Sequence, residues 1–252
     1  MDTVYSLTAQ GVRTVELHTP FSWLRAGLSD LRSAPLPSLF YGMCFALIGY
    51  ALLFALRHEP QLLASASAGF LLLGPALALG LYDLSRRREA GLPMRLAPTL
   101  MAWRNNFVNL ALFCTVLMVI FLVWVRASLI TFGLSFPGGV PTMEDLLLRI
   151  VAMDHWGFLA VWLGIGFLFA TVAFLISVIT MQMLLDRQTD ILDAVLTSLQ
   201  VAAANPGPLA VWAAIIAWAT SAALLMGFVG VIVVVPLLGH ASWHAYRSMV
   251  GQ

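Results

Sequence analysis

The 252-residue sequence predicts an all-α, polytopic membrane helical bundle with six transmembrane helices. Hydrophobic residues make up 61% of the chain and charged residues only 10%, whereas soluble domains average about 25% charged residues. The apolar residues form runs of about 20, which are long enough to cross a hydrocarbon layer of roughly 30 Å. The basic residues are thirteen arginines and no lysine, and they cluster in a few of the gaps between the runs.

The spans follow from the charged or proline-containing segments that separate the runs. We place the first four at about 37–56, 62–82, 107–125 and 156–185. The last apolar stretch, 208–239, would form about 48 Å of helix, which is too long for one untilted span. Gly227 and Gly230 lie near its middle, where a tight turn fits. We therefore divide it into a fifth span at about 208–228 and a sixth at about 230–247.

The arginines also predict the orientation of the bundle. With six spans, ten arginines fall on the side of the termini and three on the other side. Because short cytoplasmic loops are enriched in basic residues, both termini are expected in the cytoplasm. Arg86, Arg87 and Arg88 crowd one of these loops, where we expect them to set topology and contact anionic lipid. The use of arginine without lysine is typical of a GC-rich bacterial genome, so we expect the bacterial inner membrane.

The domain organisation follows from this topology. Residues 1–36 are predicted to form a cytoplasmic N-terminal segment with an interfacial helix. Residues 37–249 are predicted to form the six-span transmembrane domain, with an extracytoplasmic insert at 126–155. In that insert, Thr142 and Asp145 have the spacing of a helix N-cap box.

An internal repeat is one interpretation of the segments before the odd-numbered spans. Each has apolar residues at i, i+4 and i+7, which places one apolar stripe on a short helix. These residues are Leu24, Leu28 and Leu31, then Leu96, Leu100 and Trp103, then Leu192, Leu196 and Leu199. The pattern predicts three repeated hairpins, each preceded by a cytoplasmic interfacial helix. The alternative is chance, because a leucine-rich chain produces such stripes readily.

The candidate metal ligands are His240 and His244, which lie at i and i+4 on one helical face. This spacing can place two imidazoles on one metal ion. The sequence places no third histidine, cysteine or carboxylate beside them, so an interfacial histidine pair that forms hydrogen bonds is the alternative. No cofactor is expected, because bound haem would require histidines within facing spans.

Charged residues at the predicted cytoplasmic face form a second candidate group. Asp83, Asp186 and Arg187 follow the ends of even-numbered spans. They are predicted to form either a structural polar network between helices or a set of solvated loop charges. Acids and arginines avoid the centres of the spans, which argues against an ion pathway through the membrane.

Three segments carry a resemblance to a known family. They are GPALALGLYDLSRR at 74–87, MLLDR at 183–187 and PLLGHASWHAYR at 236–247. Over roughly residues 20–250 the chain resembles a family of bacterial six-span integral membrane proteins that is described as a domain of unknown function. The resemblance implies a membrane fold and supplies no activity to carry over.

The expected function is non-enzymatic, because no hydrolase, metalloprotease or nucleotide-binding motif is present. We expect an accessory, assembly or scaffold component of the membrane. The alternative is a carrier or transporter of a lipid or another amphiphile. The expected partners are the lipid bilayer and either a second membrane protein or another copy of the chain. Nucleic acid is not expected, because the sequence has no basic patch with interleaved aromatic residues.

Overall fold

The computed structural model describes residues 11–137 and 156–251. In these ranges the regular structure is helical, apart from a single β-bridge between Val12 and Val250. The predicted all-α class is therefore confirmed. Five helical stretches are long and apolar enough to cross a membrane: Pro35–Ala55, Pro60–Glu89, Leu96–Ser135, Trp156–Asp186 and Pro206–Leu225. The sixth span is not among them and stays a prediction.

The helices follow one another with short connections. Up to residue 135 they are α1 (Thr19–Ser33), α2 (Pro35–Ala55), α3 (Pro60–Phe70), α4 (Gly74–Leu77), α5 (Leu79–Glu89), α6 (Leu96–Thr99) and α7 (Phe107–Ser135). From residue 156 they are α8 (Trp156–Ser177), α9 (Thr180–Asp186), α10 (Ile191–Ala204), α11 (Pro206–Leu225) and α12 (Val231–Met249). Proline opens α2, α3 and α11, where its missing N–H has no intrahelical partner to lose.

The long apolar stretch 208–239 is divided as the sequence predicted. Helix α11 ends at Leu225 and α12 begins at Val231. Gly227 and Phe228 between them have φ values of 66° and 65°. Glycine adopts this left-handed conformation without steric penalty, and its presence here explains why the chain turns at this point.

Two helix boundaries differ from the predicted spans. The third span was expected to end at Arg126, but α7 continues to Ser135, so the first ten residues of the predicted insert 126–155 are helical. A single exposed arginine does not end a helix, because arginine is a good helix former. The second apolar run is interrupted by a 3-10 turn at Leu71–Leu73, where Pro75 cannot donate to the carbonyl four residues earlier. Thr142 and Asp145 lie outside the described residues.

Short helices precede the odd-numbered spans, as the repeat pattern predicted. Helix α1 precedes α2 and α10 precedes α11, whereas the middle copy is only α6 followed by a 3-10 turn at Ala102–Asn106. Pro98 lies inside this middle segment, where it prevents a longer regular helix.

The chain divides into two compact units. The first comprises Met1–Leu47, Pro75–Cys114 and Phe174–Gln252. Its most extensive packing is between α1 and α12, where a Cβ atom added at Gly27 would lie 2.7 Å from the backbone nitrogen of Ala241. Glycine at this position therefore allows the two backbones to approach closely. Trp23 and Trp212 pack edge to face on the α1 side, with 5.7 Å between ring centroids.

The second unit comprises Ile48–Gly74 and Thr115–Ala173. Aromatic side chains dominate its interior, and Phe132 packs against Phe158 with 4.9 Å between ring centroids. The Trp124 indole donates to the Ser65 carbonyl oxygen at 2.8 Å, and the Ser65 and Ser128 hydroxyls lie 2.7 Å apart. Such polar pairs satisfy buried hydrogen-bonding groups, as an apolar environment requires.

Replacing Gly27 by alanine tests the close approach of α1 and α12. We expect Gly27→Ala to lower the free energy of unfolding by about 1–3 kcal/mol, because the added methyl group meets backbone atoms that cannot move independently. The measurement is the apparent melting temperature in detergent. Gly164→Ala is the control, because nothing lies within 4 Å of its added Cβ. Equal melting temperatures for both variants and the wild type would contradict this packing.

Candidate functional site

A buried polar cluster lies in the first unit, where α1, α2, α5 and α12 meet. We call it the Asp30 cluster. Its members are Asp30 of α1, Ser38 of α2, Ser85 and Arg88 of α5, and His240 and His244 of α12. The i, i+4 spacing of the histidines and the i, i+3 spacing of Ser85 and Arg88 place each pair on one helical face. Both faces are turned toward the last turn of α1.

The Asp30 carboxylate is the centre of the cluster. Its Oδ2 atom accepts a hydrogen bond from the Ser85 hydroxyl at 2.5 Å and lies 2.9 Å from Nε2 of His244. Its Oδ1 atom accepts from the Arg88 guanidinium, which also donates to the Ser29 hydroxyl at 3.0 Å. One carboxylate thus joins α1 to both α5 and α12.

His240 extends the cluster to α2. Its Nδ1 and Nε2 atoms lie 2.8 Å from the Ser85 hydroxyl and 2.9 Å from the Ser38 hydroxyl. Ser85 has a single hydroxyl hydrogen, which it donates to Asp30, so Nδ1 of His240 is the donor to Ser85. The result is a continuous chain of hydrogen bonds from Ser38 through His240 and Ser85 to Asp30.

The cluster is closed to solvent at its centre. Asp30 is 2% exposed and His240 is 0% exposed. Burial disfavours the charged carboxylate, but hydrogen bonds from His244, Ser85 and Arg88, with the charge of His244, together hold the pKa of Asp30 below its usual value. The ionised carboxylate is therefore the form that the surrounding side chains stabilise.

The structure brings the two candidate metal ligands to the same carboxylate. Both ring nitrogens of His240 are engaged by serines, and Nε2 of His244 is engaged by Asp30. Among the residues that the structure describes, no group of three or more histidine, cysteine, aspartate or glutamate side chains has an arrangement that could hold a metal ion. The geometry favours the hydrogen-bonded histidine pair that was the alternative interpretation.

The other predicted charges form a neighbouring set of contacts. Asp83 is fully buried and accepts from Arg86 at 2.6 Å and from Arg87 at 2.8 Å. Arg86 also reaches the Leu185 carbonyl oxygen of α9 at 3.4 Å. Because Asp83 pairs within its own helix, this pair reaches α9 through the hydrogen bond of Arg86.

Around Asp186 the contacts run between helices. Asp186 accepts from the Tyr246 hydroxyl at 2.8 Å, and Arg187 donates to the same hydroxyl oxygen at 3.1 Å. Arg247 of α12 in turn pairs with Glu89 of α5 at 2.8 Å. These contacts connect the ends of α5, α9 and α12.

Arg86, Arg87 and Arg88 were predicted to lie in a loop, but they belong to α5 and all three form ion pairs. Arg86 and Arg87 pair with Asp83, and Arg88 pairs with Asp30. Their side chains are only 22–38% exposed. The contact of these three arginines with anionic lipid stays a prediction.

An apolar groove lies on the other side of α1, also in the first unit. It has a volume of about 680 Å³ and runs between α1, α11 and α12. Residues from all three helices line it, including Phe21, Leu24, Trp218, Ala222, Met226 and Leu237. Its lining contains no charged side chain, so it suits hydrocarbon rather than a polar solute.

Sequence reasoning missed Asp30, Ser38 and Ser85. One signal was available for Asp30, because an acid in the last turn of a helix opposes the helix dipole and needs a compensating partner. The serines carried no such signal, since serine is common near helix ends. Their role depends on side chains more than 150 residues away.

Comparison with known proteins gives one match. A family described as predicted integral membrane protein (DUF2189) matches residues 62–186. Over this segment the chain is similar to that family. No curated protein and no solved structure matches the chain significantly. The DUF2189 segment includes Asp83, Ser85 and Arg88, whereas Asp30 and His240 lie outside it.

Replacing Asp30 tests the cluster. We expect Asp30→Asn to lower the free energy of unfolding by about 3–5 kcal/mol, because it leaves the Arg88 and His244 side chains without their carboxylate partner. The measurement is the temperature at which half of the detergent-purified protein loses its monodisperse elution peak. Glu16→Gln is the control, because the Glu16–His18 pair is about 80% exposed on both sides. Equal temperatures for the two variants would contradict the central role of Asp30.

The difference in stability between the wild type and Asp30→Asn is expected to depend on pH. The pKa of Asp30 is lowered in the folded protein, so the carboxylate contributes its full stabilisation above the unfolded pKa of about 4. That contribution is lost as the pH falls through the lower pKa of the folded state. The stability difference between wild type and Asp30→Asn is therefore expected to shrink as the pH falls below 4. A difference that grows as the pH falls below 4 would contradict this assignment.

Proposed function

We propose that the protein is a non-enzymatic accessory or scaffold component of the bacterial inner membrane. The observation that supports the proposal is the Asp30 cluster, in which carboxylate, hydroxyl and imidazole groups form hydrogen bonds with one another. Asp30, Ser85 and His240 are buried and hydrogen-bonded to other members of the cluster. A group of this kind fixes the positions of helices. Rigidly held helices offer a defined surface to a membrane partner or to a second copy of the chain.

The burial of the Asp30 cluster argues against an enzymatic role, because a substrate could not reach it. Ser38, His240 and an aspartate share the residue types of a hydrolase triad. In such a triad the serine hydroxyl faces the substrate, whereas Ser38 is fully buried and its hydroxyl oxygen lies 2.7 Å from the Ala34 carbonyl oxygen. A second serine, Ser85, also separates His240 from the carboxylate. We therefore propose that the protein is not a hydrolase.

The proposed topology has six spans and cytoplasmic termini. Val12 forms a β-bridge with Val250, and the Arg13 N–H donates to the Met249 carbonyl oxygen at 2.8 Å. Segments that touch lie on the same side of a membrane, so the chain between them crosses an even number of times. If all five apolar stretches cross the membrane, an even number supports α12 as the sixth crossing. The excess of arginines on the side of the termini supports a cytoplasmic location.

The carrier of a lipid or another amphiphile is the second candidate function. The apolar groove between α1, α11 and α12 supports it, because its length and lining suit an acyl chain. A carrier must also release its cargo into another membrane. Transfer is therefore the property that separates this candidate from a scaffold.

Two experiments distinguish these functions. Extraction into native nanodiscs, followed by mass spectrometry, is expected to recover a stoichiometric membrane-protein partner or a homo-oligomer. Asp30→Asn is expected to weaken that association, while Glu16→Gln is expected to leave it unchanged. Transfer of labelled lipid from donor to acceptor liposomes by the purified protein alone would instead support the carrier function. A covalent fluorophosphonate adduct on Ser38 or Ser85 would refute the non-enzymatic proposal.

Cysteine accessibility tests the topology. In a chain with Cys44 and Cys114 replaced by alanine, we expect Leu17→Cys to be protected from an impermeant maleimide in intact cells and His58→Cys to react. Both native positions are exposed in the structure, so burial does not account for a difference. Opening the cells is expected to make Leu17→Cys reactive. Reaction of both variants in intact cells would contradict cytoplasmic termini.

A further inference from the structure

We propose that the apolar groove binds one acyl chain of an anionic phospholipid, with the lipid phosphate held by Arg25 of α1. This site is independent of the scaffold function, because a resident lipid need not be transported. The proposal depends on the length of the groove, the small residues that form it and an unpaired cation at its α1 end.

The groove has the length of an acyl chain. Along α11 its lining extends from Val211 to Met226, fifteen residues apart, which corresponds to about 22 Å of helix. One leaflet contributes about 15 Å of a hydrocarbon core of roughly 30 Å. The groove is therefore longer than the depth of one leaflet, so a single acyl chain can lie within it.

Small residues create this space. Ala214, Ala219 and Ala222 of α11 line the groove, and each side chain ends at its Cβ atom. Trp218 lies between them in the sequence and is 77% exposed, so its ring is available to cover a bound chain. The other lining residues are apolar, which gives a hydrocarbon chain dispersion contacts along both sides.

By helical spacing, Arg25 continues the groove-lining side of α1 beyond Phe21 and Leu24. It is one helical turn after Phe21 and directly follows Leu24, both of which line the groove. The Arg25 side chain is exposed and makes no ion pair or hydrogen bond with any residue in the described part of the chain. This distinguishes it from Arg88, whose charge is already balanced by Asp30.

The combination identifies the occupant. An apolar groove with a free guanidinium at one end is complementary to an amphiphile with an anionic head. Guanidinium binds phosphate through two parallel hydrogen bonds, and basic residues near the membrane surface attract anionic lipids. A lipid without a phosphate, such as a diacylglycerol, would fill the groove without using Arg25. An apolar helix of a partner or a second copy would leave the guanidinium unpaired.

The test is native mass spectrometry of the full chain with added phosphatidylglycerol or with a diacylglycerol that has the same acyl chains and no phosphate. We expect one phosphatidylglycerol adduct that persists at collision energies at which the diacylglycerol is removed. Arg25→Gln is expected to reduce this preference about fivefold. Arg95→Gln is the matched control, because Arg95 is an exposed arginine outside the groove. Its preference is expected to equal that of the wild type.

A second pair of variants tests the acyl-chain position. Ala222→Phe places a ring inside the groove, where it blocks the path of an acyl chain, and is expected to remove the adducts of both lipids. Ala217→Phe places the same ring on an exposed part of α11 outside the groove and is expected to retain them. If Ala222→Phe does not fold, Arg25→Gln still decides, because an exposed, unpaired side chain can be replaced without loss of packing.

Three results would overturn the proposal. One is equal retention of the two lipids by the wild type. Another is an unchanged preference in Arg25→Gln. The third is a dimer that Ala222→Phe dissociates, which would place a second copy in the groove. None of these results bears on whether the protein recruits a membrane partner, so the scaffold proposal is tested separately.

Discussion

Burial of the Asp30 carboxylate is the constraint on which the first unit depends. An ionised group is costly to remove from water unless it is paired and hydrogen-bonded, and here three side chains from two other helices supply the compensation. Asp30 therefore requires α5 and α12 to lie where Ser85, Arg88 and His244 reach it. Gly27, one turn earlier in α1, permits the same approach by leaving no side chain between α1 and α12. Charge compensation and close backbone packing thus select the same arrangement of helices.

The arrangement separates two kinds of surface on α1. One face carries Asp30 and Trp23 into the interior of the first unit, while Phe21 and Leu24 face the apolar groove. The arginines follow the same division. Arg88 compensates a buried acid, whereas Arg25 remains available to an external anion. The contacts of Asp30 and Gly27 thus hold one side of α1, and the side with Phe21, Leu24 and Arg25 remains open.

The helices were largely predictable from the sequence, because a backbone in lipid must satisfy its hydrogen bonds within each helix. The turn at Gly227 was predictable because the apolar stretch 208–239 is too long for one span. The end of α7 was not, because a lone Arg126 marks a charge without ending a helix. Only part of the candidate site could be predicted from the sequence, because the i, i+4 spacing identified His240 and His244 alone. Their partners could not be found, because Ser38 and Asp30 are 202 and 214 residues away in sequence and only the packing of helices brings them together.

The separation of 214 residues between Asp30 and His244 also sets the order in which the molecule can be completed. Translation proceeds at about 5–20 residues per second, so α1 emerges tens of seconds before α12. During that interval the carboxylate of Asp30 has no histidine to pair with, and the backbone of Gly27 has no helix against it. Ser85 and Arg88 become available to Asp30 when α5 has been made, whereas the packing of α1 against α12 can form only after the last helix has been made.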